Sequence, residues 1–395
     1  MILFFNVTAL YLAVNKNNIE IINFLLSQPE IDFSSCSFMG CKKLTQITIP
    51  SSATSIGDYS LSECSSLTQI TIPPSVTKIG KGAFKGCSLI AEIVINSSIQ
   101  SIEPHTFNKC TSLKRVIFEN PSSITSIDSY AFGSCKSLTQ ISIPSSVESI
   151  GSFAFSECSA LSQIIFETPS SLIKIGEKAF NECSLLSQIS IPSNVSSIET
   201  SLFEKCQLLS QIIIPQNATS IGFSAFKGCL LLAKITIPFS VKSIGRNAFN
   251  GCKTLTQISI PPSVSVIESS TFEDCVKLTQ IEIPSSVTSI GDCAFKNCLS
   301  LKQISIPSSV ALIGKSSFSG CKKLAEISIP SSVNKIGENA FSGCSSLEII
   351  KIPSSVTKIG YWAFKECSSL KQISLPLSLS SSNLGIDQNI TIENI

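Results

Sequence analysis

Chemistry-bearing residues are scarce in this sequence of 395 residues: one histidine, His105, one tryptophan, Trp362, and two methionines. Histidine-based acid–base or triad chemistry needs partners at a defined spacing. None accompanies His105, which lies in Glu103-Pro104-His105-Thr106-Phe107, and no glycine-rich phosphate loop is present, so no catalytic residue is assigned. Charge is also sparse, at 14% of residues with a net of +2, which gives no field for tracking nucleic-acid phosphates. No run of eighteen uncharged apolar residues exists, so no transmembrane segment is expected. The apolar opening Met1-Ile2-Leu3-Phe4-Phe5-Asn6-Val7 lacks the basic flank and small-residue cleavage site of a secretory signal. Apolar residues, by contrast, make up 43%, too many for a disordered chain. Cysteine is abundant at seventeen.

Fifteen of the cysteines mark an internal repeat: Cys41, Cys64, Cys87, Cys110, Cys135, Cys158, Cys183, Cys206, Cys229, Cys252, Cys275, Cys298, Cys321, Cys344 and Cys367. Twelve of the fourteen intervals are 23 residues and two are 25, which defines a repeat array and not a set of unrelated domains. The unit reads C-x-x-L-x-x-I-x-I-P-S-S-V-x-x-I-G-x-x-A-F-x-x, as in Cys321, Leu324, Ile327, Ile329, Pro330, Val333, Ile336, Gly337, Ala340 and Phe341. Ile327 and Ile329 alternate as in a short strand with one buried face, and such strands must stack into a parallel sheet to bury it. Proline follows the strand in fourteen of fifteen copies, where the chain leaves the ladder. The glycine column is Gly in ten copies and acidic in four (Glu103, Asp128, Glu199, Glu268). Gly or an acid suits a helix N-terminus, so a short 3₁₀ or α turn is expected on the convex side. The expected fold is a right-handed α/β solenoid of about fifteen coils over residues 36–380, with a parallel sheet on the concave face. Residues 381–395, which alternate in Asn389-Ile390-Thr391-Ile392-Glu393-Asn394-Ile395, are expected to close its C-terminal edge.

Both 25-residue intervals insert two residues before proline: Phe118-Glu119-Asn120-Pro121 and Phe166-Glu167-Thr168-Pro169. Ile117 and Ile165 replace polar residues next to them. Two readings stay open, a tolerated paired duplication with small bulges or a local binding feature.

The unit resembles the leucine-rich repeat of the BspA-like surface-antigen family over residues 37 to about 380. That resemblance implies a horseshoe or gently curved superhelix and a role in adhesion or protein binding, often at a cell surface. Ahead of it, Thr8-Ala9-Leu10-Tyr11-Leu12-Ala13-Val14 resembles the T-P-L-H-x-A opening of an ankyrin repeat, and Asn17 to Leu26 its second helix. Residues 1–35 are therefore expected to form a helical ankyrin-like cap, or the end of a longer ankyrin array.

Fourteen of the fifteen ladder cysteines share a face with a phenylalanine three residues earlier, and Cys64 with Leu61, which points to reduced core packing. Coils about 4.8 Å apart permit disulfides by distance, but a row of fifteen leaves one unpaired. Cys36 and Cys293 stand outside the ladder, no Cys-x-x-Cys pair occurs, and no metal or other cofactor is expected. So many free thiols favour a reducing, cytoplasmic location, whereas the family resemblance favours the cell surface. The sequons at Asn6, Asn96, Asn194, Asn217 and Asn389 matter only in a secreted chain. Tyr361 and Trp362 are read as convex surface packing.

The outward strand positions are the candidate binding surface. One column is mostly glutamine: Gln46, Gln69, Gln140, Gln163, Gln188, Gln211, Gln257, Gln280, Gln303 and Gln372. Departures are Glu92, Arg115, Lys234, Glu326 and Ile349 in that column, with Glu282 and Lys351 in the neighbouring Ser/Thr column. Ile117, Glu119, Ile165 and Glu167 join them at the insertions. A polar, weakly charged strip fits a protein partner, or a glycan, better than nucleic acid.

Overall fold

The computed structural model describes Ala13, Phe33, residues 36–386 and residues 389–395. The ankyrin-like segment therefore lies outside the described residues, apart from Ala13 and Phe33. The chain divides into two compact units, Met1–Asn194 and Val195–Ile395. The first holds the coils of Cys41 to Cys183 and the second those of Cys206 to Cys367.

Each unit is a parallel β-solenoid with two strand ladders per coil. In the first unit, Glu92–Ile95 pairs with Arg115–Phe118, and Gln140–Ile143 with Gln163–Phe166, all parallel. A second ladder of two-residue strands runs through Ser101–Ile102, Ser126–Ile127, Ser149–Ile150 and Lys174–Ile175. In the second unit, Gln257–Ser259, Gln280–Glu282, Gln303–Ser305 and Glu326–Ser328 form one sheet. Val266–Ile267, Ser289–Ile290, Leu312–Ile313, Lys335–Ile336 and Lys358–Ile359 form the other ladder. Thr391–Asn394 adds a last parallel strand beside Gln372–Leu375.

Identical side chains meet their own kind from coil to coil. Phe84, Phe107, Phe132 and Phe155 stack with centroids 5.3–5.4 Å apart. Phe249, Phe272, Phe295, Phe318 and Phe341 do the same at 5.4–5.7 Å. All of these rings are fully buried. From coil to coil the ladder thiols donate to a carbonyl of the coil before, as in Cys110 Sγ to Phe84 O at 3.1 Å and Cys275 Sγ to Phe249 O at 3.2 Å. All seventeen cysteines are free, and only Cys36 and Cys293 lie outside the core.

The turn columns have equally concrete reasons. After the strand, the proline carbonyl accepts the N–H three residues on, as in Val333 N to Pro330 O at 3.0 Å. The second serine then donates to the valine carbonyl of the preceding coil, as Ser332 Oγ does to Val310 O at 2.7 Å and Ser355 Oγ to Val333 O at 2.8 Å. Where Asn96 replaces proline it is buried, and its Nδ2 donates to Pro73 O and Val76 O. That amide is committed to the fold and is not a glycosylation site.

The expected 3₁₀ or α turns are not found: residues 36–395, where described, contain no helix. The connection is instead a chain of β-turns. Gly82 and Gly86, and Tyr130 and Ser134 two coils on, adopt φ of 57° to 73°, and such a pair recurs in most coils. A left-handed residue at the third turn position breaks a helix and is the mark of a type II turn. The turned peptides alternate their donors: Ala83 N bonds back to Gly80 O, whereas Gly82, Phe84 and Gly86 N–H groups bond carbonyls of the next coil. The Gly80 column has no positive φ, and its glycines are required by close coil contact. A Cβ on Gly222 would sit 2.6 Å from Thr200 N. Three of the four acids in this column fold back along their own coil, as Ser197 Oγ to Glu199 Oε1 at 2.6 Å shows.

Burial pushes the thiols of Cys87, Cys158 and Cys321 up to about 12, partly offset by hydrogen bonding to the adjacent coil's cysteine backbone. Unfolded thiols lose their protons near pH 8.5, so above that pH the unfolded chain binds fewer protons and stability must fall until the folded thiols titrate. The expected slope is about 1.4 kcal/mol per pH unit for each such thiol. Urea midpoints measured from pH 6 to 11 should be level below pH 8 and drop steeply above 9; a level profile to pH 11 would refute the buried ladder.

Candidate functional site

The strand alternation sends one side chain of each pair into the core and the next outward. In the first unit this exposes Gln46, Gln69, Glu92, Arg115, Gln140, Gln163 and Gln188, with Ile165, Glu119 and Glu167, and leaves Ile117 half-buried. In the second it exposes Gln211, Lys234, Gln257, Gln280, Glu282, Gln303, Glu326 and Lys351. Most of these positions lie on strands, where register fixes their neighbours, but Gln46, Gln69 and Lys234 lie on segments outside any strand, Glu119 and Glu167 lie just past strand ends, and Gln372 is half-buried on its strand. Gln257 stands beside Gln280 and Gln303 beside Glu326. Ser259, Glu282 and Ser305 form the adjacent row.

In the first unit the departures fall in neighbouring coils, those of Cys87 to Cys158. Glu92 and Arg115 are register partners, and Arg115 Nη1 lies 3.3 Å from Glu92 Oε2. Beside them Val94 pairs in register with Ile117, and Ser142 with Ile165. Val94 and Ile165 are 40% and 43% exposed, so the polar strip carries an apolar inset next to an ion pair. Val94, and Ile213 of the second unit at 65% exposure, were not singled out from the sequence. The signal was present: both put an aliphatic residue in the Ser/Thr column.

The two insertions behave alike. Glu119 N and Glu167 N each add a rung to the ladder, bonding Ile95 O at 2.9 Å and Ile143 O at 3.0 Å. Their carboxylates reach the Ser97 and Ser145 backbone N–H groups at 3.2 and 3.3 Å. Both glutamates thus cap the turn of the preceding coil, a structural duty, while Ile117 and Ile165 remain without one. Glu393 likewise accepts from Ser374 Oγ at 2.7 Å and Gln372 Nε2 at 3.1 Å, bonds that hold its carboxyl below the usual range and fasten the last strand.

His105 is not an isolated surface residue. Its ring stacks on Tyr130 at 4.8 Å, Tyr130 on Phe153 at 4.6 Å, and Lys178 Nζ lies 5.2 Å above Phe153. Burial, then Lys85 and Lys81, lower its pKa, so it stays neutral at pH 7 inside an outer ring stack. Trp362 is half-exposed under Lys365 Nζ at 5.7 Å. Among the described residues no group of three His, Cys, Asp or Glu is placed to hold a metal, and no helix is long and apolar enough to cross a membrane.

A BspA type leucine rich repeat region model, in six copies, matches residues 30–123, 118–231, 219–311 and 288–395. A leucine-rich repeat protein from Bacteroides ovatus shares the fold with 31% identity and a TM-score of 0.79, over 87% of this chain and 88% of that one. A leucine rich cell surface protein from Faecalibacterium prausnitzii matches with 27% identity and a TM-score of 0.54, over 88% and 92% of the two chains. A leucine-rich repeat protein from Eubacterium ventriosum, at 23% identity and a TM-score of 0.52 over 87% of each chain, shares the fold. No curated protein matches the sequence.

If the outward strand positions carry no folding duty, neighbours on one strand should respond oppositely to substitution. Ile93→Ala, at a buried site, should cost about 2–5 kcal/mol, whereas Glu92→Ala and Val94→Ser should stay within about 0.5 kcal/mol. Urea denaturation of the three variants checks this, and equal losses would make the face structural.

Proposed function

Since the chain belongs to the BspA-type leucine-rich-repeat family, we propose that it is a non-enzymatic binding scaffold whose strand faces contact a protein partner. The observation that carries this reading is the apolar inset of exposed Val94 and Ile165 and half-buried Ile117 beside the Glu92–Arg115 pair. Interface energy concentrates where apolar anchors and arginine sit within a polar rim. The glutamine and serine rows around them supply hydrogen-bonding groups at regular spacing, as complementarity and not as anchors. In the second unit Lys234, Glu282, Glu326, Ile349 and Lys351 give the strand face its own pattern. The finer reading is adhesion at a cell surface, a location that the description of the Faecalibacterium prausnitzii relative gives for that protein.

A second reading, an intracellular scaffold joined to ankyrin repeats, draws on two features. Seventeen free thiols suit a reducing compartment, and residues 8–14 carry the ankyrin-like motif. Extensive disulfides in freshly isolated protein would exclude it.

The test is a pull-down from intact cells with surface labelling in parallel, followed by affinity measurement on the captured partner. Arg115→Glu, Glu282→Lys and Glu326→Lys, all exposed, should leave the fold intact. At least one should weaken binding by about tenfold or more, the scale of a well-packed interface contact. Binding that ignores all three, together with Ile165→Asp, would defeat the strand-face proposal.

A further inference from the structure

The second unit carries a cleft over its ladder of two-residue strands, away from the face of the longer strands. It is ≈ 650 Å³ in volume and is floored by Gly314, Gly337 and Gly360. The size falls within the range of small-ligand sites, about 300–1,000 Å³. Its origin is readable in the chain. Elsewhere the close-contact glycine column runs for at most two coils before an acid interrupts it, but Gly291, Gly314, Gly337 and Gly360 make four in succession. A Cβ on Gly337 or Gly360 would run into Lys315 N or Glu338 N of the preceding coil, so closely packed bare backbone forms the floor between the side chains on either side. The C-terminal segment then closes one end with Leu379, Ser380, Asn383 and Leu384. That wall is fastened: Trp362 N donates to Asn383 O at 2.8 Å and Phe364 N to Leu384 O at 2.9 Å.

The charges in the trough are unevenly satisfied. On one side, Asp292 Oδ1 accepts the Lys315 backbone N–H at 2.7 Å, and Lys315 Nζ pairs with Glu338 Oε2 at 2.9 Å. Both acids are therefore occupied. On the other side, Lys335 and Lys358 are register partners on adjacent parallel strands, both exposed. Neither has an ion-pair partner among the described residues, and strand spacing sets their backbones about 4.8 Å apart. Two ammonium groups at that spacing can bracket a single carboxylate or sulfate. Thr357, Ser380 and Asn383 add hydroxyl and amide groups, and Tyr361, 62% exposed, offers a flat ring beside them.

We propose that this cleft binds an acidic saccharide, a sugar unit bearing a carboxylate or sulfate. The lysine pair holds the anion, the polar groups of the cap meet the sugar hydroxyls, and Tyr361 covers an apolar C–H face of the ring. The site lies on the ladder of two-residue strands, separate from the face of the longer strands, and does not depend on that face's role.

The test is calorimetric titration of the full chain with a sulfated uronate disaccharide, its neutral carboxyl-reduced and desulfated analogue, and inorganic sulfate. Saturable binding of the acidic disaccharide is expected, with the neutral analogue weaker by about tenfold or more, ~1.4 kcal/mol. Lys335→Gln with Lys358→Gln should lose a similar factor, and Tyr361→Ala should weaken the disaccharide but not sulfate. All these positions are exposed, so melting curves should coincide with the parent, and Arg115→Glu should bind the disaccharide normally. No saturable binding, or affinity unchanged in the double lysine variant, would overturn the proposal. Sulfate binding as tightly as the disaccharide would reduce the cleft to a simple anion site and overturn it as well.

Discussion

Within each unit the coils are fixed to one another at the phenylalanine–cysteine column, interrupted at Leu61. There the rings stack at about 5.5 Å and the thiol donates to the phenylalanine carbonyl of the preceding coil. A solenoid coil contacts only its neighbours, so its stability is a sum of intrinsic terms and nearest-neighbour interfaces. The ring must be flat to stack at that spacing, and the thiol must be small and weakly polar to lie in the core and still reach a carbonyl. The two requirements together account for the constancy of these columns and for cysteines that form no disulfide.

Because the interior is spent on coil-to-coil contact, the exterior is free to vary, and it varies unevenly. Glutamine and serine rows repeat with little change along the strand faces, whereas Val94, Arg115, Ile117 and Ile165 cluster in the first unit. In the second unit an unbroken glycine column floors a cleft. Both candidate sites are places where an otherwise uniform column changes its residue type. The insertions fit the same logic only in part: Glu119 and Glu167 cap turns, and the isoleucines beside them carry the binding interest.

Much of this was legible in the chain. The 23-residue period and the buried columns follow from alternation and spacing, and strands such as Gln257–Ser259 and Gln280–Glu282 carry their glutamines outward as that alternation requires. The return path was not legible. Residues such as Tyr130, Phe153 and Trp362 hold a positive φ, although nothing in their chemistry prefers it. They do so because the left-handed turn frees alternate N–H groups to bond the next coil, and those long-range bonds outweigh the local cost. The glycine column was misread for a related reason. Its need comes from a neighbour 23 residues away, as Gly222 over Thr200 shows, and no local pattern reveals it.

The account stands on nearest-neighbour coupling through the stacked core, and a double-mutant cycle measures that coupling directly. Phe272 and Phe295 stack at 5.5 Å, whereas Phe272 and Phe318 are separated by an intervening ring. Replacing each pair with leucine, singly and together, should give a coupling of about 0.5–1.5 kcal/mol for the adjacent pair and nearly none for the separated one. Equal coupling in both pairs, or none in either, would contradict it.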